Sequence, residues 1–391
     1  MKVLDPDFTS EDFHRDPYRH YAIYRSDTPV FRNEAGVVYL TRHRDCELLL
    51  TDTRFRRQYP GGSGMNPFER EREEPNALDV MIGHWLIFMD PPRHDLVRKA
   101  FSAPFSAKSV RSLEPAIRDV ARRLLDEWSG KSSIELVSAF ASPFPIFVLC
   151  GMLGIPSRDW SRFDAWSSQL TRAMDSGSRE EMRTAIPASM EIRDYFTALL
   201  RERAASPRDD LLGDLIAAGK AGGLTSDELV FGIAFLLIAG HETTKNLIAS
   251  GVLTLARHPD QAERLRRQPD LIESAVEELL RFESPFQKFS RWACAPASFG
   301  EYSVTEGTLV AALIGAANRD PSVFAQPDEF DIRRSPNRHL AFGKGIHACL
   351  GTTLARFKAG SRSTRCCASC PVSKSSNSAG ALRPRSARWS A

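Results

Sequence analysis

The sequence has no apolar run long enough to span a bilayer. Its most apolar stretch, Leu229 to Gly240, is twelve residues, where a crossing helix needs about 20. The opening Met1-Lys2-Val3-Leu4-Asp5-Pro6-Asp7 lacks the basic-then-apolar order of a secretory signal. Cysteine is sparse and scattered, at Cys46, Cys150, Cys294, Cys349, Cys366, Cys367 and Cys370. No disulfide framework is expected, which suits a reducing cytoplasm. Also missing are a phosphate-cradling G-x-x-x-x-G-K loop, a G-x-S-x-G nucleophile elbow and a G-x-G-x-x-G dinucleotide fingerprint. No readable motif therefore binds a nicotinamide or flavin in this chain. His241-Glu242-Thr243-Thr244-Lys245 begins like the zinc-protease pattern H-E-x-x-H, but Lys245 stands where the second histidine must be. Acidic residues are absent from 361–391, which hold six basic ones; setting these aside turns a net charge of +3 into −3 for residues 1–360. The body is not basic, and nothing in it suggests nucleic-acid binding. The expectation is a soluble, cytoplasmic monomer with no membrane or nucleic-acid partner.

What is present is an ordinary globular composition, 42% apolar and 26% charged over 391 residues, enough for a large core. Asp16-Pro17-Tyr18 reads as a helix start. Val37-Val38-Tyr39-Leu40 reads as a strand, and residues 57–80 as loop. From 94 to about 280 the pattern is mostly helical, with helices expected at Pro115–Trp128, Met190–Ala205 and Leu211–Ala218. Tyr302-Ser303-Val304 and Thr308-Leu309-Val310 flank Glu306-Gly307, a hairpin signal. No linker divides residues 1–360, so one mainly α domain with small β-sheets is expected.

Two constellations point to chemistry. Thr225-Ser226-Asp227-Glu228 reads as a capping box and His258-Pro259 as a stop, giving a helix of about 30 residues. In its middle lies Ala239-Gly240-His241-Glu242-Thr243-Thr244. A mid-helix glycine costs about 1 kcal/mol against alanine, and an acid beside a hydroxyl in an apolar helix suggests a site, although taken alone a threonine back-bonding to a helix carbonyl is the better reading. Further on comes Phe342-Gly343-Lys344-Gly345-Ile346-His347-Ala348-Cys349-Leu350-Gly351. It sets one cysteine in a glycine-rich loop before a helix start, where peptide N–H groups favour a thiolate.

This second segment resembles the haem-ligand loop of cytochromes P-450, F-G-x-G-x-H-x-C-x-G, with every fixed position filled. The first resembles the family's oxygen-activation motif. Glu278-Leu279-Leu280-Arg281, 68 residues before Cys349, resembles its E-x-x-R pair, with Arg334 as third member. Asp90-Pro91-Pro92-Arg93-His94-Asp95-Leu96-Val97-Arg98 resembles its D-P-P-x-H-x-x-x-R segment. The resemblance spans roughly residues 10–360 and includes Ala317-Asn318-Arg319-Asp320-Pro321. It implies the cytochrome P-450 fold, with haem b (iron protoporphyrin IX) between the long central helix and the cysteine loop. Cys349 would be the axial thiolate of the iron. Thr243 and Glu242 would serve oxygen activation and proton delivery. His94, Arg98, Arg291 and His347 would anchor the propionates; Phe342, Gly343, Ala239 and Gly240 would border the ring. Glu278, Arg281 and Arg334 would be structural. Leu236, Phe286, Gln287 and Phe289 would line an apolar substrate pocket.

The implied activity is a monooxygenase that hydroxylates or epoxidises an apolar small molecule, in the manner of tailoring enzymes of polyketides and other secondary metabolites. Electrons would come from a ferredoxin and its reductase, docked on basic residues such as Lys99 and Lys344. A haem-binding sensor is the contrasting reading; it has no use for Glu242-Thr243. Peroxide-using or dehydrating members of the fold often alter that pair, which is intact here. Residues 361–391 differ in kind, with nine serines, three cysteines and no acid. Re-read one nucleotide earlier, codons for 361–370 permit Leu-Ala-Leu-Asp-Ala-Leu-Leu-Arg-Val-Leu, an amphipathic helix. The expectation is an out-of-frame tail after about Gly360, with a natural disordered basic tail as the alternative.

Overall fold

The computed structural model describes residues 1–60, 75–102, 105–129, 131, 133–176 and 178–360. Among these lie eight strands: β1 Lys2–Val3, β2 Val30–Arg32, β3 Val38–Leu40, β4 Phe55–Arg56, β5 Lys288–Ala293, β6 Ala297–Phe299, β7 Tyr302–Val304 and β8 Leu309–Leu313. The helices of the first half are α1 Glu11–Arg15, α2 Pro17–Asp27, α3 His43–Thr51, α4 Ala77–Gly83, α5 Arg93–Ser102, α6 Ala107–Ser112, α7 Glu114–Asp126 and α8 Pro143–Met152. Those of the second are α9 Trp160–Ser176, α10 Arg179–Ala205, α11 Leu211–Ala221, α12 Ser226–Arg257, α13 Pro259–Arg267, α14 Ile272–Phe282, α15 Ile314–Ala317 and α16 Thr352–Ala359.

Local chemistry sets these boundaries. Asp16 caps α2 by accepting from the Arg19 amide, and Pro17 fills the first turn. Thr225 and Glu228 form the capping box of α12, which then runs 32 residues to the His258-Pro259 stop. α10 is longer than its apolar pattern suggests and carries Pro187 in its interior. Residues 57–80 are not loop throughout. Asn76 and Asp79 make a second capping box, which starts α4 at Ala77. Residues 61–74 lie outside the described residues, as does the tail from 361 onward.

Six strands form one sheet in the order β1-β2-β3-β8-β5-β4, and β6-β7 form a separate ribbon. The hairpin expected around Glu306-Gly307 is therefore incorrect. The turn exists, with Gly307 at φ +80°. Its two arms part, however: β7 pairs with β6, while β8 enters the large sheet between β3 and β5. β8 is buried over Val310 to Leu313, and burial on both faces favours a central strand over one arm of a ribbon.

The largest core gathers apolar side chains from α4 to α12, among them Phe140, Phe144, Phe196, Phe231 and Leu237. A second core lies under the large sheet, and a third packs the C-terminal half of α12 on α13 and α14. α14 is anchored by a buried ionic cluster. Arg281 donates through Nε and Nη2 to the two Glu278 oxygens, each at 2.8 Å, and both side chains are fully buried. Arg334 Nε joins the same carboxylate at 3.1 Å, as does Asn337 Nδ2 at 3.0 Å. The expected trio is thus assembled, with Asn337 as a fourth member.

Candidate active site

α12 is buried along most of its length, but Phe235, Leu236, Ala239, Gly240 and Thr243 are only half-buried. Leu236, Ala239, Gly240 and Thr243 are spaced three, four and seven apart, so they share one helix face. This open stripe ends at the acid–hydroxyl pair. Thr243 donates its hydroxyl to the Ala239 carbonyl at 2.8 Å, a bond that turns the hydroxyl back along the helix. Glu242 pairs with Lys245 at 2.5 Å, and its Oε2 is buried with no hydrogen bond among the described residues. Gly240 is needed for space: a Cβ there would stand 2.9 Å from Leu149 Cδ1.

The cysteine loop is pinned by its own backbone. The Cys349 amide donates to the Phe342 carbonyl at 2.8 Å, and the Gly343 amide to Leu340 at 2.9 Å. Gly343 adopts φ +66°, a conformation that favours glycine. Arg98 Nη2 donates to the Ala348 carbonyl at 2.7 Å, which ties α5 to the loop. Cys349 itself is exposed, yet protein closes round it on most sides. That burial pushes its thiol pKa up, while the Gly351 amide, the Thr352 hydroxyl and the cations of Arg98 and Arg356 pull the other way. Lys358, fully buried on α16, reaches the Gly240 carbonyl at 3.4 Å. The helix that follows the cysteine is thereby tied to the glycine of the α12 stripe.

Between these elements, basic groups gather. His94 on α5 and His347 in the loop hold their rings 4.6 Å apart, edge to face. The Nε2 atoms of both are buried without a hydrogen-bond partner among the described residues. Burial, then Arg291, His94, Arg57 and Arg98, push His347 down to about 2, so its imidazole is neutral. Burial and neighbouring Arg57 lower Arg291 to about 9, against the pull of Asp90. Burial also lowers Arg57 to about 10. Arginines crowded and dehydrated in this way, beside unpaired imidazole nitrogens, suit a ligand that brings anionic oxygens.

The family model for cytochrome P450 matches residues 61–361. The chain belongs to the cytochrome P450 family. It is 35% identical to the biotin biosynthesis cytochrome P450 of Bacillus subtilis, over 90% of this chain and 88% of that one. It is 34% identical to the polyketide biosynthesis cytochrome P450 PksS of the same organism, over 89% and 87%. Among solved structures, P450BioI in complex with an acyl carrier protein ligated to hexadec-9Z-enoic acid superposes with a TM-score of 0.83 at 35% identity, covering 90% of this chain and 91% of that one. The protein is a P450 monooxygenase, and its prosthetic group is protoporphyrin IX haem.

The residues present fit that group. The unpartnered Nε2 atoms of His94 and His347, with Arg98, Arg291 and Arg57, would supply hydrogen bonds and charge for two propionates. Cys349 and the open α12 stripe would supply the two faces. Phe289, expected in the substrate pocket, packs its ring 3.8 Å from the position a Cβ on Gly343 would take, beside the cysteine loop. It stacks on the exposed Phe286 with centroids 4.7 Å apart. Gln287 is placed differently from expectation. Its Nε2 donates to Ser284 O at 2.7 Å and its Oε1 accepts from Tyr21 at 3.4 Å, so its contacts lie with α2 and α15. Lys344 is held by Glu47 on α3, which compensates its charge.

Arg57 escaped the sequence reading. It follows β4, donates Nε to Ile87 O at 2.8 Å and lies over the Phe88 ring at 4.7 Å. Its own amide and that of Gln58 bind the Asp90 carboxylate. The one available signal was the alternation in Phe55-Arg56-Arg57, which turns Arg57 to the same side as buried Phe55.

Proposed function

We propose that this P450 inserts one oxygen atom from dioxygen into an unactivated C–H or C=C bond of an apolar small molecule, a polyketide or other secondary metabolite. The observation that carries this reading is the half-buried apolar stripe of α12 ending at Glu242 and Thr243. It offers an apolar substrate contact beside a proton-handling pair. Haem ligated by a thiolate supplies dioxygen binding and activation when bound. Cys349 would hold the iron, and His94, Arg98, Arg291, His347 and Arg57 the propionates. Leu236, Ala239 and Phe289 would orient the substrate and exclude water. Thr243 would present a hydroxyl to the reacting oxygen once its bond to Ala239 is released. Glu242, with one oxygen buried and without a hydrogen bond among the described residues, would pass protons, and Lys245 would hold its other oxygen in place.

Electrons would come from a ferredoxin and ferredoxin reductase, and the enzyme would act as a cytoplasmic monomer. No helix among the described residues is long and apolar enough to cross a membrane. Two measurements test the reading. The ferrous–CO complex should show the red-shifted Soret band of thiolate ligation, and Cys349→His should abolish that shift. Apolar metabolites and medium-chain acyl groups, offered both free and as carrier-protein thioesters, should displace the distal water and shift the ferric spin state. The reading fails if the CO complex shows no thiolate shift, or if polar ligands alone perturb the ferric spectrum.

A further inference from the structure

His241 precedes Glu242 on α12 and is fully buried. Its Nδ1 lies 2.8 Å from Ser167 Oγ. Its Nε2 lies 3.0 Å from the Ser142 carbonyl and 3.2 Å from Asp164 Oδ1. Ser142 Oγ in turn donates to Asp164 at 2.8 Å. Asp164 and Ser167 are three apart on α9, hence on one face, and Asp164 is about a third exposed, at 36%. Partial burial raises the Asp164 pKa, but hydrogen bonds from His241 and Ser142 and the charges of His241 and Lys245 outweigh it and leave it lowered. A polar link thus runs from solvent at Asp164 through His241 to the turn that carries Glu242. The field of Lys245, the partner of Glu242, also reaches Asp164.

We propose that His241 is a positioning residue for Glu242, fastening the acid-bearing turn of α12 to α9 through Asp164 and Ser167. An imidazole with partners on both nitrogens is fixed in ring plane and position. All of these contacts belong to α9 or to Ser142, just before α8. Movement of α9 therefore either drags the His241–Glu242 turn or breaks the link. The acid is in register when α9 is seated.

The test uses the haem-loaded protein and three variants, with two readouts. Asp164→Ala removes the outer acceptor without touching the core; Asp164→Asn keeps an acceptor; His241→Leu removes the link. Amide exchange of residues 160–176 should be about tenfold faster in Asp164→Ala, about 1.4 kcal/mol, and near wild type in Asp164→Asn. With electrons supplied by a ferredoxin pair, the share of NADH recovered as peroxide should rise severalfold in Asp164→Ala and His241→Leu and be restored by Asp164→Asn. Unchanged exchange overturns the link. Faster exchange with an unchanged peroxide share overturns the positioning role. If His241→Leu loses haem, Asp164→Ala decides alone.

A second, independent observation concerns the end of α16. An apolar recess between α12, α13 and α14 is lined by Leu247, Gly251, Leu255, Val276, Leu279 and Ala359. Ala359 is the last helical residue of α16, and the family match ends at 361. Were α16 continued past Ala359, positions 363, 366 and 370, at +4, +7 and +11, would fall on its face. As encoded they are Ser363, Cys366 and Cys370. Serine codons of the TCN type and cysteine codons begin with T. Read one base earlier, that T becomes the middle base, which specifies an apolar residue whatever flanks it. The geometry points to an apolar continuation of α16 as the occupant of this recess, read from the other frame. Resequencing the gene, then expressing a version with one base restored near codon 358, tests it. A restored protein that denatures several degrees higher supports the proposal. A Ser363 codon of the AGY type, which gives no apolar residue in the shifted frame, or a restored version no more stable, overturns it.

Discussion

Arg281→Ala is the most demanding test of the packing beneath the site. All five guanidinium donors are in use: two on Glu278, and three on the carbonyls of Asn318 at 3.1 Å, Pro327 at 2.7 Å and Glu329 at 3.0 Å. Removing the side chain takes from a buried carboxylate its fully buried cation and leaves it Arg334 and Asn337, at an upper cost of about 3–5 kcal/mol. It also strips three carbonyls of a donor, at roughly 1 kcal/mol each. The total, at most roughly 6–8 kcal/mol, approaches the whole stability of a domain, about 5–15 kcal/mol. Arg281→Ala should therefore give almost no soluble haem protein. Arg334→Ala leaves Arg281 and Asn337 on the carboxylate and should cost less, about 2 kcal/mol. Glu278→Gln keeps the volume but leaves a buried cation unneutralised and should fall between them. The assay is soluble yield, then urea denaturation followed by far-UV circular dichroism. An Arg281→Ala protein that folds and loses less than about 1 kcal/mol would refute the reasoning, because no buried pair broken on one side is that cheap.

Thr243→Ala removes the hydroxyl next to the acid. It should leave the substrate-induced spin shift intact while diverting most NADH electrons to peroxide, measured by a coupled peroxidase assay. Arg57→Ala should weaken haem retention about tenfold, roughly 1.4 kcal/mol, read as haem transfer to apomyoglobin; transfer at the wild-type rate would remove Arg57 from the propionate set. Glu277 is held down to about 2: burial alone would raise it, but hydrogen bonds and charge from Arg356 and His339 outweigh that. Its folded pKa lies below its ordinary value, so the stability it lends is complete above about pH 4.5 and is lost as pH falls through 2. With Arg356 nearly half exposed, the contribution should be about 1 kcal/mol after screening. Glu277→Gln should accordingly cost about 1 kcal/mol at neutral pH, leave stability nearly unchanged below pH 2, and flatten acid denaturation between pH 4.5 and 2.

Features written in local chemistry were legible before any coordinates. The capping box at Thr225, the His258-Pro259 stop and the i, i+3 spacing of Glu278 and Arg281 each depend on residues a few positions apart. Features decided by tertiary partners were not. The Gly307 turn reads correctly as a turn, but which strands its arms join depends on β3 and β5, far away in sequence. Arg57 is a single inward-facing cation with no period to reveal it, and Asn337 reaches Glu278 across 59 residues. Gln287 lies on the side of its strand entry that alternation assigns to Phe289, but the Tyr21 hydroxyl and the Ser284 carbonyl draw its amide the other way. His241 was visible only as half of a failed zinc pattern; its partners on α9 and before α8 give it a role.

The cluster around Glu278 also sets an order of events during synthesis. α14 can form as soon as it is made, with Glu278 and Arg281 paired in water. It cannot be buried until residues 318–337 arrive with the carbonyls, the Arg334 guanidinium and the Asn337 amide that complete the cluster. Arg334 lies 56 residues after Glu278, about 3 to 11 s of elongation at 5–20 residues per second. Throughout that interval the apolar flank of α14, including Leu279 and Leu280, can meet α12 and α13, but Glu278 and Arg281 stay hydrated and the helix is not sealed. Pausing within this window, or a chain ended inside it, would prolong the exposure and feed aggregation, whatever the quality of the helices already made.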